Sequence, residues 1–239
     1  MSEAYSSVSS SENRSSTNPC PETVLPENSQ RIIGLTGGIG MGKSTVSEYL
    51  EKGYDLPVLD ADILARDAVA VGTPIFNIIV ERYGPAILLP DGTLNRQQLG
   101  NIIFNLAAER LWLDQQIHPY VRDRFEAALA SEHQSSPMVI LAVPLLFEAR
   151  MTDLVNEIWV VHCSRPQQIE RLLKRSHQSG ALQLANPLRQ EQVEARINAQ
   201  LDIQKKIDWA DVVLDNSGSQ HQLFQAIDQI LQMQAPRVH

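Results

Sequence analysis

The sequence predicts an α/β protein of the doubly wound class, a parallel sheet with helices on both faces. Three observations predict it. A short apolar run, Ile32-Ile33-Gly34-Leu35, enters a turn with four glycines in the six residues 37–42 and leaves as a helix. Met138-Val139-Ile140-Leu141-Ala142-Val143 is nearly all apolar, as a central strand covered on both faces must be. Strand-like and helix-like segments alternate over most of the chain, with no convincing internal repeat.

Each element has its own justification. Lys43 to Lys52 reads as the first helix, with Val46 and Leu50 on one face and Gly53 as its C-cap. Leu56-Pro57-Val58-Leu59 is a short second strand, weakened by its proline. It runs into Asp60-Ala61-Asp62, where Asp62 is placed to cap the next helix. Residues 66–135 read as mostly helical. Thr73-Pro74 opens a helix with Ile75, Phe76, Ile79 and Val80 inward, and Gly84-Pro85 stops it. Asn95 to Phe104 and Ala107 to Ile117 follow, His118-Pro119 breaks the pattern, and Tyr120 to Leu129 resumes it. That is long for a plain crossover, so the segment reads as a helical subdomain inserted between two strands.

After the strand at 138–143, Pro144 leads into a short helical piece over Leu145-Leu146-Phe147-Glu148. Glu157 to His162 is the fourth strand. Pro166 opens a helix with Ile169, Leu172 and Leu173 inward and Arg171, Lys174 and Arg175 outward. Residues 176–190 read as a polar connector, and Glu191 to Ile207 as one long helix. Asp211 to Leu214 is the fifth strand, Asn216 to Gly218 a turn, and Leu223 to Met233 the last helix. Trp112, Trp159 and Trp209 read as packing residues.

Composition narrows the function. The chain has 239 residues, enough for one sizeable domain or one core with an insertion. Apolar residues at 43% and charged residues at 20% suit a globular protein. A formal charge of −8 argues against a broad surface for nucleic acid or anionic membrane, while leaving room for a local phosphate pocket. Two cysteines, Cys20 and Cys163, make neither a disulfide scaffold nor a metal cluster, and Cys163 reads as a small buried hydrophobe. No apolar run reaches the length of a membrane span. Residues 1–29 hold nine serines and no phenylalanine and read as a disordered tail. The expected location is the cytoplasm.

The chemistry centres on the glycine-rich turn. Gly37, Gly42, Lys43 and Ser44 occupy the fixed positions of G-x-x-x-x-G-K-[ST], between a strand and a helix as that motif requires. Backbone N–H groups of such a loop converge on an anion, and the helix adds its positive end. The segment Gly38, Ile39, Gly40, Met41, Gly42, Lys43, Ser44 and Thr45 is therefore the candidate nucleoside triphosphate site. Lys43 reaches the terminal phosphates, and the Ser44 hydroxyl is the candidate ligand for Mg²⁺. Asp62 is the candidate general base, and for Asp60 a direct role, such as helping to hold Mg²⁺, and a structural role stand as equal alternatives. If the strand persisted, the two carboxylates would point to opposite sides. Ala142-Val143 stand where many proteins with this loop keep a Mg²⁺-associated aspartate, and no Asn-Lys-x-Asp segment reads guanine. Both facts weaken a standard ATPase or GTPase reading. Glu148 is a second acidic candidate, with a surface position as the alternative. Arg171 and Arg175 share a helix face and can close over the nucleotide. Arg66, Arg96 and Arg122, beside the inserted helices, suit phosphates of a second substrate, and His118 is a further contact or a structural residue at a helix break.

In these segments, over residues 31–233, the chain resembles the dephospho-coenzyme A kinase family. The resemblance is carried by Gly34-Leu35-Thr36-Gly37-Gly38-Ile39-Gly40 with Gly42-Lys43-Ser44-Thr45, then Asp60-Ala61-Asp62 with Ala65-Arg66, Leu94-Asn95-Arg96 and Ile117-His118-Pro119. Pro144-Leu145-Leu146-Phe147-Glu148, Arg171-Leu172-Leu173-Lys174-Arg175, Arg196-Ile197-Asn198-Ala199-Gln200 and Ala210-Asp211-Val212-Val213 continue it. The resemblance implies transfer of the ATP γ-phosphate to the ribose 3′-hydroxyl of dephospho-CoA, with Mg²⁺, as the last step of coenzyme A synthesis. It implies a nucleotide-kinase-type three-layer fold over residues 30–233, with five parallel strands in the order 2-3-1-4-5. It further implies Asp62 as the base, Arg196 near the nucleotide, a lid over 171–196, and a helical insert over 66–135 that receives dephospho-CoA. The implied assembly is a monomer, or in some members a trimer. The chain departs from the pattern in its tail and in a longer stretch between Arg175 and Arg196. A kinase for another small alcohol shares these motifs, and a nucleotide-binding switch shares the loop. Titrating acceptors separates them.

Overall fold

The central strand is β1 (Arg31–Gly37), buried from Ile33 to Gly37 because it has a neighbour on each side and helices above and below. A computed structural model describes residues 30–178 and 188–233. The sheet has five parallel strands in the order β2-β3-β1-β4-β5, with β2 at Val58–Asp60, β3 at Met138–Ala142, β4 at Glu157–His162 and β5 at Val212–Asp215. Leu35 lies opposite Ala142 on one side and Trp159 on the other. Parallel register brings the C-terminal ends of all five strands to one edge, where ligands of open α/β sheets bind.

Alternation along the strands builds two cores. Ile33, Leu35, Ile140, Trp159, Val161 and Leu214 face one side. There they meet Val46 and Leu50 of α1 (Lys43–Tyr54) and Leu223 and Ile227 of α9 (Gln220–Met233). Val139, Leu141 and Val143 face the other side, against Ala61 of α2 (Ala61–Ala68) and Val121 and Phe125 of α5 (Ala107–Ala130). Between β2 and β3 lie four α-helices, α2, α3 (Pro74–Tyr83), α4 (Arg96–Asn105) and α5, with a single antiparallel bridge, Leu88 to Leu94, between α3 and α4. Ala68, Ile75, Phe76, Ile79, Ile87, Leu94, Leu99 and Leu113 form a third core there, apart from the sheet. The remaining α-helices among the described residues are α6 (Arg165–Gln178), α7 (Gln190–Asn198) and α8 (Ile203–Asp208).

Several boundaries differ from the sequence expectation for identifiable reasons. α1 runs through Gly53, and Asp55 takes the left-handed turn at φ 53° with its N–H on Leu50 O; an aspartate tolerates that region. Asp60, not Asp62, caps α2 by accepting the Asp62 N–H at 2.7 Å. His118-Pro119 does not break the helix. α5 is continuous because Leu113 belongs to the insert core while Val121 and Phe125 belong to the sheet core, and this two-sided burial outweighs the one N–H that Pro119 removes. Residues 144–150 form a run of turns, not a helix. The long helix expected over Glu191–Ile207 is two helices, since Asp202 caps α8 by accepting the Gln204 N–H at 2.7 Å. Of the connector expected over 176–190, residues 176–178 end α6 and 190 begins α7, while 179–187 lie outside the described residues, as does the tail 1–29.

Candidate active site

Gly40 at φ 76° and Gly42 at φ 103° are both in the left-handed region, so the turn from β1 into α1 depends on them. Space enforces the same choice. A Cβ on Gly40 would lie 2.8 Å from Leu172 Cγ, and one on Gly42 would collide with the Asn216 amide. The loop that results is clamped by three side chains from outside it. Gln168 of α6 donates Nε2–H to Ile39 O at 2.8 Å. Gln200, in the turn between α7 and α8, accepts the Ile39 N–H at 2.8 Å. Asn216, after β5, donates Nδ2–H to Met41 O at 2.9 Å.

Lys43 opens α1 with its side chain mostly buried and its Nζ 3.5 Å from Asp60 Oδ2. Asp60 thus serves two groups, the α2 backbone through Oδ1 and Lys43 through Oδ2. β2 ends at Asp60, so the alternation that would have separated the two carboxylates stops there. Asp62 lies one residue into α2 and lines a cavity of about 280 Å³ with Gly37, Gly40, Lys43, Ser44 and Arg175. Burial pushes the Asp62 carboxyl above its ordinary value, Lys43 opposes that, Asp60 adds to it and Arg66 opposes it. The side chain is still solvent-accessible in this open cleft, so water moderates all four effects.

A second cavity, about 420 Å³, adjoins the other side of the loop and is lined by Gly40, Thr45, Arg171, Arg175, Asn216 and Gly218. Arg171 does not face outward as its helical spacing suggested. Its Nη2 donates to Asn216 O at 2.9 Å, and its buried Nη1 has no hydrogen-bond partner among the described residues. A third cleft, about 370 Å³, lies between α4 and α7, with Arg96, Arg110, Phe104 and Arg196 among its lining residues. The Arg196 guanidinium sits 5.6 Å from the Phe104 ring, its Nε is buried without a hydrogen-bond partner among the described residues, and burial lowers its pKa. Arg96 Nη2 donates to Arg66 O at 3.1 Å.

The structure thus brings together the loop, Lys43, Ser44, Asp62 and Arg175, with Arg66 near enough to act on the Asp62 carboxyl. It places Arg171 beside the loop on the second cavity, and Arg96 and Arg196 at the third cleft. Two candidates lie elsewhere. Arg122 is paired with Asp153 and Glu126 and lines none of these cavities. His118 also lines none of them and has its Nε2 3.9 Å from Asp114 Oδ1. Glu148 is no plain surface residue, because it holds the buried Lys206 at 2.9 Å. Cys163 is buried, and burial raises its thiol pKa. Gln168 and Lys206 carry no signal in the sequence, while Gln200 and Asn216 stand there only as members of a resemblance segment and of a turn, with no role at the loop.

The fold and this site define a nucleotide-kinase-type phosphotransferase, with a phosphate-binding loop after β1 and an acidic pair where β2 passes into α2. The family model described as Dephospho-CoA kinase matches residues 31–222. The Dephospho-CoA kinase of Trichormus variabilis is 54% identical over 199 residues, which cover 83% of this chain and 95% of that one. The Dephospho-CoA kinase of Synechocystis sp. is 52% identical over 189 residues, 79% of this chain and 89% of that one. The chain belongs to the dephospho-CoA kinase family. Among solved structures, one from Thermus thermophilus is similar with a TM-score of 0.69 at 30% identity, covering 86% of this chain and 98% of that one. A Dephospho-CoA kinase from Campylobacter jejuni shares the fold with a TM-score of 0.62 at 21% identity, covering 85% of this chain and 96% of that one.

Proposed function

We infer that this chain transfers the γ-phosphoryl group of ATP to the ribose 3′-hydroxyl of dephospho-CoA, the last step in making coenzyme A. One observation carries the reading beyond family membership: Asp62 and Lys43 line the same cavity, with the phosphate loop as its wall. Phosphoryl transfer asks a protein mainly to position two substrates and to offset charge. Lys43 and the loop N–H groups bind the phosphates. Asp62 accepts the proton of the acceptor hydroxyl as its oxygen bonds to the γ-phosphorus. The bond from that phosphorus to the β–γ bridging oxygen breaks, and ADP leaves. Arg171 and Arg175 cover the nucleotide from α6, the first part of the lid assigned to 171–196.

The donor set fits Mg²⁺, which takes oxygen ligands. Ser44 would hold the ion, since Asp60 is engaged by Lys43 and by the α2 backbone. When bound, the ion offsets negative charge on the phosphates. Arg66, Arg96 and the helices of the 66–135 insert are assigned to the acceptor, and Arg196 to the nucleotide. Arg122 and His118 are assigned to the acceptor as well, although Arg122 is paired with Asp153 and His118 lies beside Asp114. The activity is assigned to a cytoplasmic monomer, with a trimer as the alternative assembly. No helix among the described residues is long and apolar enough to cross a membrane. The net charge of −8 supports a small-molecule acceptor over nucleic acid.

The test is acceptor-dependent ADP release from ATP and Mg²⁺. Dephospho-CoA is expected to drive it, with adenosine, AMP and shikimate inert. Release driven by another of these acceptors would overturn the assignment of substrate.

A further inference from the structure

Lys206 is wholly buried, yet phosphoryl transfer has no use for it. Its Nζ donates to Pro144 O at 3.0 Å and to Glu148, at 2.9 Å to Oε1 and 3.1 Å to Oε2. A fully buried lysine persists only when paired. Replacing such a pair by apolar side chains is often neutral for stability, so stability alone does not explain it. What the pair touches gives it a role. Glu148 Oε1 also accepts the Leu201 N–H at 3.0 Å. Leu201 follows Gln200, whose Oε1 takes the Ile39 N–H. Pro144 O also accepts the Thr36 hydroxyl at 3.1 Å, and Thr36 is in β1 just before the loop. The bonds therefore run from β1 through Pro144, Lys206, Glu148 and the α7–α8 turn, and return to the loop that β1 feeds. Pro144, Ile39 and Gln200 all line the cavity that holds Lys43 and Asp62.

We propose that Lys206, acting through Glu148, is a positioning residue for the phosphate loop: it fixes the turn that carries Gln200 and so orders the Ile39 peptide before the nucleotide arrives. A loop ordered in advance loses less freedom on binding. The proposal rests on the phosphotransferase reading only for the ligand of the loop, so ATP binding tests it without an acceptor. If dephospho-CoA failed as acceptor, the binding measurement would still decide the proposal.

The experiment compares the full chain with the paired variant Lys206→Met/Glu148→Leu, which strands no charge. Its melting temperature is expected to stay close to that of the parent, with ATP binding by calorimetry weakened about tenfold. The ATP KM rises in step, the acceptor KM is unchanged, and kcat at saturating ATP changes little. Gln200→Leu in the parent should reproduce the ATP effect and add almost nothing in the paired variant, because both act on one contact. Parent-like ATP affinity in the paired variant, or full additivity with Gln200→Leu, would overturn the proposal. Should the paired variant melt early, Glu148→Gln is set against Glu148→Leu. The glutamine keeps an acceptor for the Leu201 N–H and should bind ATP more tightly than the leucine, and equal affinities would overturn it too.

Discussion

The side-chain amide of Asn216 donates to the carbonyl of Met41 at 2.9 Å, joining the end of β5 to the middle of the phosphate loop across 175 residues of sequence. The same asparagine occupies the space that a Cβ on Gly42 would need, and its own carbonyl accepts Arg171 Nη2. One buried residue thus sets the loop and orients the arginine of α6 beside it.

Asn216→Ala should therefore weaken ATP binding about tenfold, the scale of one buried hydrogen bond with an acceptor left unsatisfied. Acceptor binding should hardly change. Titration calorimetry with ATP checks this, and unaltered affinity would show that the loop holds its shape without the tether.

Asp62→Asn should lower turnover by a factor of ~10²–10⁴, the usual range for a general base, while ATP still binds. The same substitution should raise thermal stability slightly at neutral pH. Burial raises the folded-state pKa of Asp62, so folding favours its protonated form and the ionised form costs stability above the unfolded value. Asparagine removes that cost, and the gap to the parent should close as the pH falls below the ordinary aspartate range. Solvent access keeps the gain small. The acid limb of kcat/KM should also lie above the ordinary aspartate range. Near-normal turnover in the variant would remove Asp62 from the role of base.

Glu109 should stabilise the insert in a pH-dependent way. Arg82 grips its carboxylate with Nε at 2.7 Å and Nη2 at 2.8 Å, and the Tyr83 hydroxyl donates at 2.6 Å. These bonds hold the Glu109 pKa down to about 2, from an ordinary value of 4.5. Burial first, and then the Glu109 carboxylate, push Tyr83 up to about 12. A depressed carboxylate stabilises the fold above its unfolded pKa and loses that contribution as the pH falls through the folded one. Glu109→Gln should be less stable than the parent at pH 7, and the gap should close between about 4.5 and 2. Denaturant melts at several pH values check this, and a constant gap would show that packing, not charge, is at work.

The sequence made the loop legible because its chemistry is local. The spacing of Gly37, Gly42, Lys43 and Ser44 and the nearby Asp60-Ala61-Asp62 need no knowledge of the fold. Strand positions were legible for a similar reason, since apolar runs mark strands covered on both faces. The clamps were not. Gln168, Gln200 and Asn216 are ordinary polar residues whose partners lie 129, 161 and 175 positions away. One signal was available: Asp202 is a sound helix cap inside the supposed long helix, and heeding it would have placed a turn at Gln200. Pro119 misled in the opposite sense, because a helix buried in two cores tolerates it. Arg171 misled because helical spacing shows which residues share a face, not what stands opposite that face.

The most direct test of the account is the mass of the product formed from ATP, Mg²⁺ and dephospho-CoA, alongside the 3′-deoxy analogue of that acceptor. The expected product is about 80 mass units heavier than dephospho-CoA, one added phosphoryl group, with no reaction of the 3′-deoxy compound. Phosphorylation of the 3′-deoxy analogue, or an unreacted dephospho-CoA in protein that binds ATP tightly, would contradict it.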